Sequence, residues 1–566
     1  MLLLNKTRQA PQLMYLIRSF KKFQRLGLSL SLLTLFVISC GREHKKKPSP
    51  SGFSDEVFTQ ELQTILKPVD TSHVGKFRSV SEDVRYVYQS DDYQPIWLKE
   101  NFSSNEAAGK LIAELEDMQW DGINPERYHL SAIKKLKEKL DTTKNNSIKD
   151  AVAFDTGMTR SYLAAAHDLL MGEILPKTVD SLWYHINDTT WNAPQLLVNS
   201  NGVYPPLNNF RSTVPTYALL RNEYRRYADL AHDSALSQAI DTVQGGYLAG
   251  HPSGEFLEQI NKVIRTELPW VQTVDTDTVS KEKQLLNAYQ VYSGVPHTGK
   301  FDSTTLARLS TPPASILKKI GANMERIRWM QRQFGSLYLI VDVPLMELFL
   351  RRNDSNAMHM RVVVGKPERQ TPSLFATMAN VVINPPWGVP STILKNDVLP
   401  GVQKSGKSYL NKKGIKVYDR EGHRVMASGI NAHNYRRFKY KQDPGDDNAL
   451  GYVKFNLPNP WDIYLHDTPH RADFVKNYRA LSSGCIRVQQ PQEMAVYILS
   501  EIEKRNFTQG KLDTIIETEK TRWEFLKTKI PVHIAYLTAF EDTTGKHIQF
   551  VRDIYHRDDK LISALN

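Results

Sequence analysis

The spacing of hydrophobic positions changes character along the chain. From about residue 54 to 235, apolar residues recur every three or four positions, as in Ala107–Met118 and Thr156–Leu170, which predicts a mainly helical region. Gln284–Leu309 repeats the helical pattern on either side of a Gly-containing turn, with Asp302 placed to cap the second helix. Beyond Leu337 the texture becomes β-branched and apolar. Leu337–Leu350 and Met358–Gly365, separated by the polar stretch Arg351–Ala357, predict a hairpin. Further short strands are expected at Asn380–Asn384, Gly451–Leu457 and Trp461–Leu465, with Pro/Gly turns between them and no strand–helix alternation. That pattern favours a mixed, mostly antiparallel sheet. The expected fold class is multidomain α+β: a helical scaffold over 54–235, a small helical unit over 236–312, a linker helix over 313–336 and a β domain over 337–510. An insertion at about 395–450 interrupts the β domain, and 511–566 forms a C-terminal extension packing on it.

The amino terminus has a different pattern. Lys21, Lys22 and Arg25 precede thirteen uncharged, mostly apolar residues, Leu26–Ile38, and then Ser39-Cys40-Gly41. Thirteen residues fall short of the roughly 20 a membrane span needs and suit a secretory segment. The order resembles a bacterial lipoprotein signal over 1–39, in which Cys40 is diacylated and becomes the first residue of the mature chain. Two acyl chains give stable anchoring where one is marginal. A simple secretory signal with an incidental Cys40, or an uncleaved anchor, are the competing readings. Met14 is an alternative start, because the basic and apolar regions are complete without residues 1–13. Residues 40–53, including the Pro/Ser-rich Lys45–Gly52, read as a tether. The protein is expected in the periplasm or cell envelope, anchored by lipid.

Charge follows the same division. The formal net charge is +12, of which residues 1–50 hold +9, so the body is nearly balanced, a pattern that fits a targeted protein better than a nucleic-acid binder, which usually needs a basic face on a folded domain. A second basic concentration, also +9, lies in Lys395–Gln442, a length typical of lids and binding loops. Only two cysteines occur, Cys40 and Cys485, which excludes a disulfide framework or a Cys-rich zinc module. His433 and His470 lack ligand-like neighbours, and no phosphate-binding or dinucleotide fingerprint is present. No metal or cofactor is expected.

The chemistry concentrates in Tyr464-Leu465-His466-Asp467 and, nineteen residues after His466, in Ser482-Ser483-Gly484-Cys485-Ile486-Arg487. A free thiol is only a few per cent nucleophilic at neutral pH unless an imidazole or a positive field activates it. His466, at the end of an expected strand, is the candidate base. Small residues before Cys485 leave room for a substrate carbonyl, with backbone N–H groups of Ser483 and Gly484 as a candidate oxyanion hole. Arg487 supplies a fixed positive charge for the thiolate or a substrate carboxylate. Asp467 points to the opposite face of a continuing strand and is a poor third member, whereas Tyr464 shares the face of His466. Tyr464, Trp387 and Ser482 join Arg487 as candidate substrate-binding residues, with ordinary core roles the alternative for the two aromatics.

His466 followed by Ser483-Gly484-Cys485-Ile486-Arg487 resembles the signature of the L,D-transpeptidase family with its YkuD-type catalytic domain. Ser483 stands where the motif often has a second His, as in the large multidomain Gram-negative branch of the family. Arg361–Pro367, Asn384-Pro385-Pro386-Trp387-Gly388-Val389-Pro390, the helical scaffold and the lid-like insertion extend the likeness. Gln284–Leu309 resembles a small peptidoglycan-binding module, with Asp302 where that module often has a second Gly. The resemblance implies acyl transfer on peptidoglycan stem peptides. Cys485 would be the nucleophile and His466 the general acid and base, with a tetrapeptide donor, a diaminopimelate amine as acceptor and a 3→3 cross-link as product. A backbone carbonyl near the base can orient it in this family. The alternatives are an L,D-carboxypeptidase or endopeptidase with the same Cys–His chemistry, and a non-catalytic peptidoglycan-binding lipoprotein.

Overall fold

The computed structural model describes residues 56–67, 79–144, 146–185, 192–200, 203–249, 254–272, 278–353, 355–426, 430–431 and 433–566. The expected signal, Cys40 and the tether lie outside the described residues. A helical N-terminal region is followed by a mixed-sheet domain, giving an α+β chain.

The helical region is organised around Ile148–Met171, a 24-residue helix whose Phe154, Met158, Tyr162, Ala165 and Leu169 are buried against shorter helices such as Glu106–Asp117. Asn105 caps the latter by accepting from the Ala108 N–H. In the next unit Thr278–Ser293 and Ser303–Leu309 flank the expected turn, and Asp302 accepts from the Thr305 N–H at 2.9 Å as a cap should. The turn is fastened by buried Gln290, whose Oε1 accepts from the N–H groups of Thr298 and Gly299.

The sheet domain is assembled from distant pieces. Its strands are β1 (Trp183–Tyr184), β2 (Leu337–Asp342), β3 (Glu347–Arg352), β4 (Ser355–Gly365), β5 (Ser373–Ile383), β6 (Trp387–Gly388), β7 (Lys416–Tyr418), β8 (Arg424–Val425), β9 (Lys439–Gln442), β10 (Val453–Asn456), β11 (Leu465–His466), β12 (Ala480–Ser482), β13 (Ile486–Val488) and β14 (Arg522–Ala535). The main sheet runs β1-β5-β10-β11-β13-β4-β3-β2-β14, and β12 pairs with β4. Because β14 also pairs with β5, the sheet closes around an apolar interior that includes Val341, Leu348, Val362, Phe455, Leu465, Ile486 and Val532. The insertion folds separately as β6, β9, β7 and β8 with two short helices over Val398, Val402, Leu410, Val417 and Tyr440.

Several expectations change. Leu337–Leu350 is two strands, because Pro344 cannot donate to a ladder and Met346 takes φ +59°, so β2 turns into β3 before Arg351. Trp461–Leu465 is strand only at its end, since Asp462 sits at φ +54°. The 511–566 segment, expected as a packed extension, supplies β14, which forms part of the sheet wall. One outer side of that wall is covered by helices Pro215–Leu230 and Pro313–Arg328 in a core shared by Leu220, Ile320, Ile327, Tyr338, Phe349 and Ala535.

Candidate active site

Strand register places the candidate residues. β11 runs parallel to β13 with His466 opposite Arg487 and Leu465 opposite Ile486. Leu465 and Ile486 point into the core, so alternation sends Tyr464, His466, Cys485 and Arg487 to the outer face together. β10 adds Lys454 directly opposite His466. Sequence reasoning passed over Lys454, although the apolar–polar alternation of Val453–Asn456 is the signal that would have put it on this face.

His466 is 6% exposed, and its Nδ1 donates to the backbone carbonyl of Asp467 at 2.5 Å. A carbonyl can only accept, so Nδ1 carries the proton and Nε2 keeps its lone pair. Burial, with the charges of Arg487 and Lys454, pushes the imidazole pKa down to about 3, so it is a neutral base across the physiological range. The Asp467 carboxylate is turned away, accepting from the N–H groups of Tyr452 and Thr468 and pairing with Arg471. A Cβ on Gly451, at φ +57°, would lie 2.4 Å from that carboxylate, so glycine is required where this loop closes on Asp467.

The Cys485 thiol is half-buried, with Sγ 3.6 Å from the Asp462 carbonyl. Burial pushes its pKa up, against the lowering influence of the Tyr464 backbone N–H and hydroxyl and the Lys454 ammonium. Lys454 Nζ stands 4.1 Å over the Tyr464 ring, which packs edge-on to His466 at 5.5 Å, and Trp387 hydrogen-bonds the Tyr464 hydroxyl. The resting site therefore holds a neutral thiol on the same face as a neutral imidazole. Any use of this thiol as a nucleophile would require transfer of its proton.

The loop before Cys485 is shaped from behind. Gly484 adopts φ +118°, a conformation other residues rarely take, and its carbonyl accepts from the Thr371 hydroxyl at 2.7 Å. The carbonyl and N–H of one trans peptide point oppositely, so the Cys485 N–H is turned away from Thr371. Two expectations are corrected here. The Gly484 N–H donates to Ser482 Oγ at 3.1 Å and is therefore not free to bind an oxyanion. Ser482, expected to touch substrate, is buried and donates back to the Cys485 carbonyl at 2.6 Å, because a hydroxyl there satisfies two loop backbone groups at once. Ser483 is exposed, and its hydroxyl accepts from Arg369, which also pairs with Asp397 of the insertion. Arg487 is held by Asp473 at 3.1 Å, and Trp387, 9% exposed, sits in β6 at the root of the insertion.

A thiol and an oriented imidazole lie on one face of the sheet, beside a backbone N–H aimed away from its support, and these are the groups that acyl transfer by a cysteine requires. Residues 336–532 match the family model of the L,D-transpeptidase catalytic domain of the YkuD type, and residues 82–223 match that of the Scaffold domain. The chain thus carries a YkuD-type L,D-transpeptidase catalytic domain behind a scaffold domain. A Haemophilus influenzae protein named "Putative L,D-transpeptidase" is 29% identical over 540 residues, covering 94% of this chain and 89% of that protein. The solved structure of the Ldtfm-avibactam carbamoyl enzyme covers 49% of this chain and 80% of that one at 12% identity and a TM-score of 0.18, a likeness too slight to bear on the fold.

Proposed function

We propose that the protein is a peptidoglycan L,D-transpeptidase that forms 3→3 cross-links through a thioester on Cys485. The observation that carries this reading is the shared outer face of His466 and Cys485, with Nδ1 fixed on the Asp467 carbonyl and Nε2 left as acceptor. His466 takes the thiol proton as sulfur attacks the carbonyl at the L-centre of diaminopimelate, residue 3 of a tetrapeptide stem. The backbone N–H of Cys485, joined by that of Ser483, holds the oxyanion, each such donor being worth about 3 kcal/mol in the transition state. The C–N bond to D-Ala breaks, His466 returns the proton to the leaving amine, and a thioester remains. The amine of a second diaminopimelate then attacks the thioester, His466 accepts its proton, and the thiol is released. Stem peptides are rich in carboxylates, so the +9 insertion attracts substrate of the right sign.

Incubation with purified tetrapeptide muropeptides followed by mass spectrometry tests the reading. Dimers with released D-Ala are expected, and none from Cys485→Ala. Tripeptide monomers alone would make the protein a hydrolase, and unchanged substrate would remove both activities.

A further inference from the structure

The face that carries Cys485 and His466 continues sideways across the sheet. His466 is opposite Lys454, Lys454 opposite Val382, and Val382 opposite Trp523 of β14. The neighbouring row runs in step: Cys485 and Tyr464, then Asn456 opposite Asn380, then Asn380 opposite Phe525. Directly paired residues share a face, so each row that holds a member of the catalytic pair ends on an aromatic ring. Asn380 and Val382 are buried, whereas the two rings emerge, Trp523 being 50% and Phe525 66% exposed. Their centroids are 6.3 Å apart and their planes lie within 17° of each other. Between them Glu524 turns inward onto Arg522 and Arg505, and Arg505 also holds the Phe525 carbonyl, so the strand beneath the rings is pinned.

Two exposed, nearly parallel rings on a pinned strand offer apolar area to a ligand. Its position says which. Four strand spacings separate β14 from β13, roughly 19 Å at about 4.8 Å each. Three residues of extended peptide span about 10 Å. A stem peptide with its third residue at Cys485, running along these rows toward β14, would bring its point of attachment, a sugar of the glycan chain, about halfway to the rings, and the sugars that follow would reach them. Pyranose rings present C–H-lined apolar faces that stack on aromatic rings, with hydroxyls left at the rim. We infer that Trp523 and Phe525 form a saccharide platform that seats the glycan chain bearing the acyl-donor stem. This inference rests on the proposed transpeptidase reading for its geometry, but the binding itself needs no catalysis.

The test uses the full chain carrying Cys485→Ala and insoluble glycan chains stripped of peptide. The protein should cosediment saturably, adding Trp523→Ala with Phe525→Ala should weaken binding about tenfold, and Trp523→Phe should restore most of it. In the active enzyme the double alanine variant should raise KM about tenfold on polymeric peptidoglycan with kcat unchanged, while free tetrapeptide is processed as before. Equal cosedimentation of parent and variant, or equal losses on polymer and free peptide, would overturn the platform. So would a loss confined to binding of anionic lipid vesicles or to self-association in sedimentation, which would give the rings to a membrane or a second copy. Failure of cross-linking with glycan binding intact would strike the transpeptidase reading alone.

Discussion

The Cys485 thiol is held in its neutral form. Burial raises its pKa, the Lys454 ammonium and Tyr464 groups oppose that rise, and His466 stays neutral because burial and two cations depress its own. Alkylation by iodoacetamide follows the thiolate, so the rate should climb with pH through a midpoint above the ordinary thiol value and show no plateau at lower pH. Lys454→Met removes a cation that favours the thiolate and should shift the midpoint further up. A reactive plateau below pH 7 would mean a standing thiolate–imidazolium pair and would contradict this electrostatic reading. His466 and Cys485 were legible in the sequence because their order and small-residue setting are local. Lys454 was not, since it acts only through a strand partner. Ser482 was misread because a sequence names a hydroxyl without saying which way it turns.

The loop between β4 and β5 is the element that sets the peptide before Cys485. A Cβ on Gly365 would sit 2.2 Å from the Arg369 carbonyl, so only glycine lets residues 365–371 fold back on themselves. Within that turn the Thr371 hydroxyl accepts from the Gly365 N–H and donates to the Gly484 carbonyl, while the Tyr555 hydroxyl accepts from the Thr371 N–H and donates to the Gly365 carbonyl. Thr371→Val keeps the shape and removes the hydroxyl that sets the Gly484–Cys485 peptide. Thioester formation should fall about 10- to 100-fold. Iodoacetamide reactivity should stay unchanged and Thr371→Ser should restore acylation. An equal fall in both reactions would make Thr371 merely structural. At this scale periodicity served the long helices well, yet the two-residue β1 and the break at Pro344 carry too few residues to make a pattern.

Across the whole molecule the scaffold and the sheet domain are bound into one body. Buried Arg328 reaches the Asp121 carbonyl at 2.8 Å and the Tyr217 hydroxyl at 3.1 Å, β1 pairs with β5, and Arg557 pairs with Asp180 at 3.0 Å while also holding Gln370 beside the catalytic loop. With a core shared by both, neither should melt first, and calorimetry of the full chain should give one principal transition for the two. Two resolved peaks, one keeping the near-ultraviolet signal of the sheet domain, would refute the common core. The closing strand has a further consequence, for the order of events during synthesis. β14 meets β5 across roughly 150 residues of chain and begins 37 residues after Cys485, so at about 5–20 residues per second Cys485 is made roughly 2–7 seconds before the strand that closes the wall. Until then β2 and β5 lack that neighbour. Those open edges should make the newborn chain slow to fold, and the wall that carries Cys485 closes only after nearly all of the chain has been made.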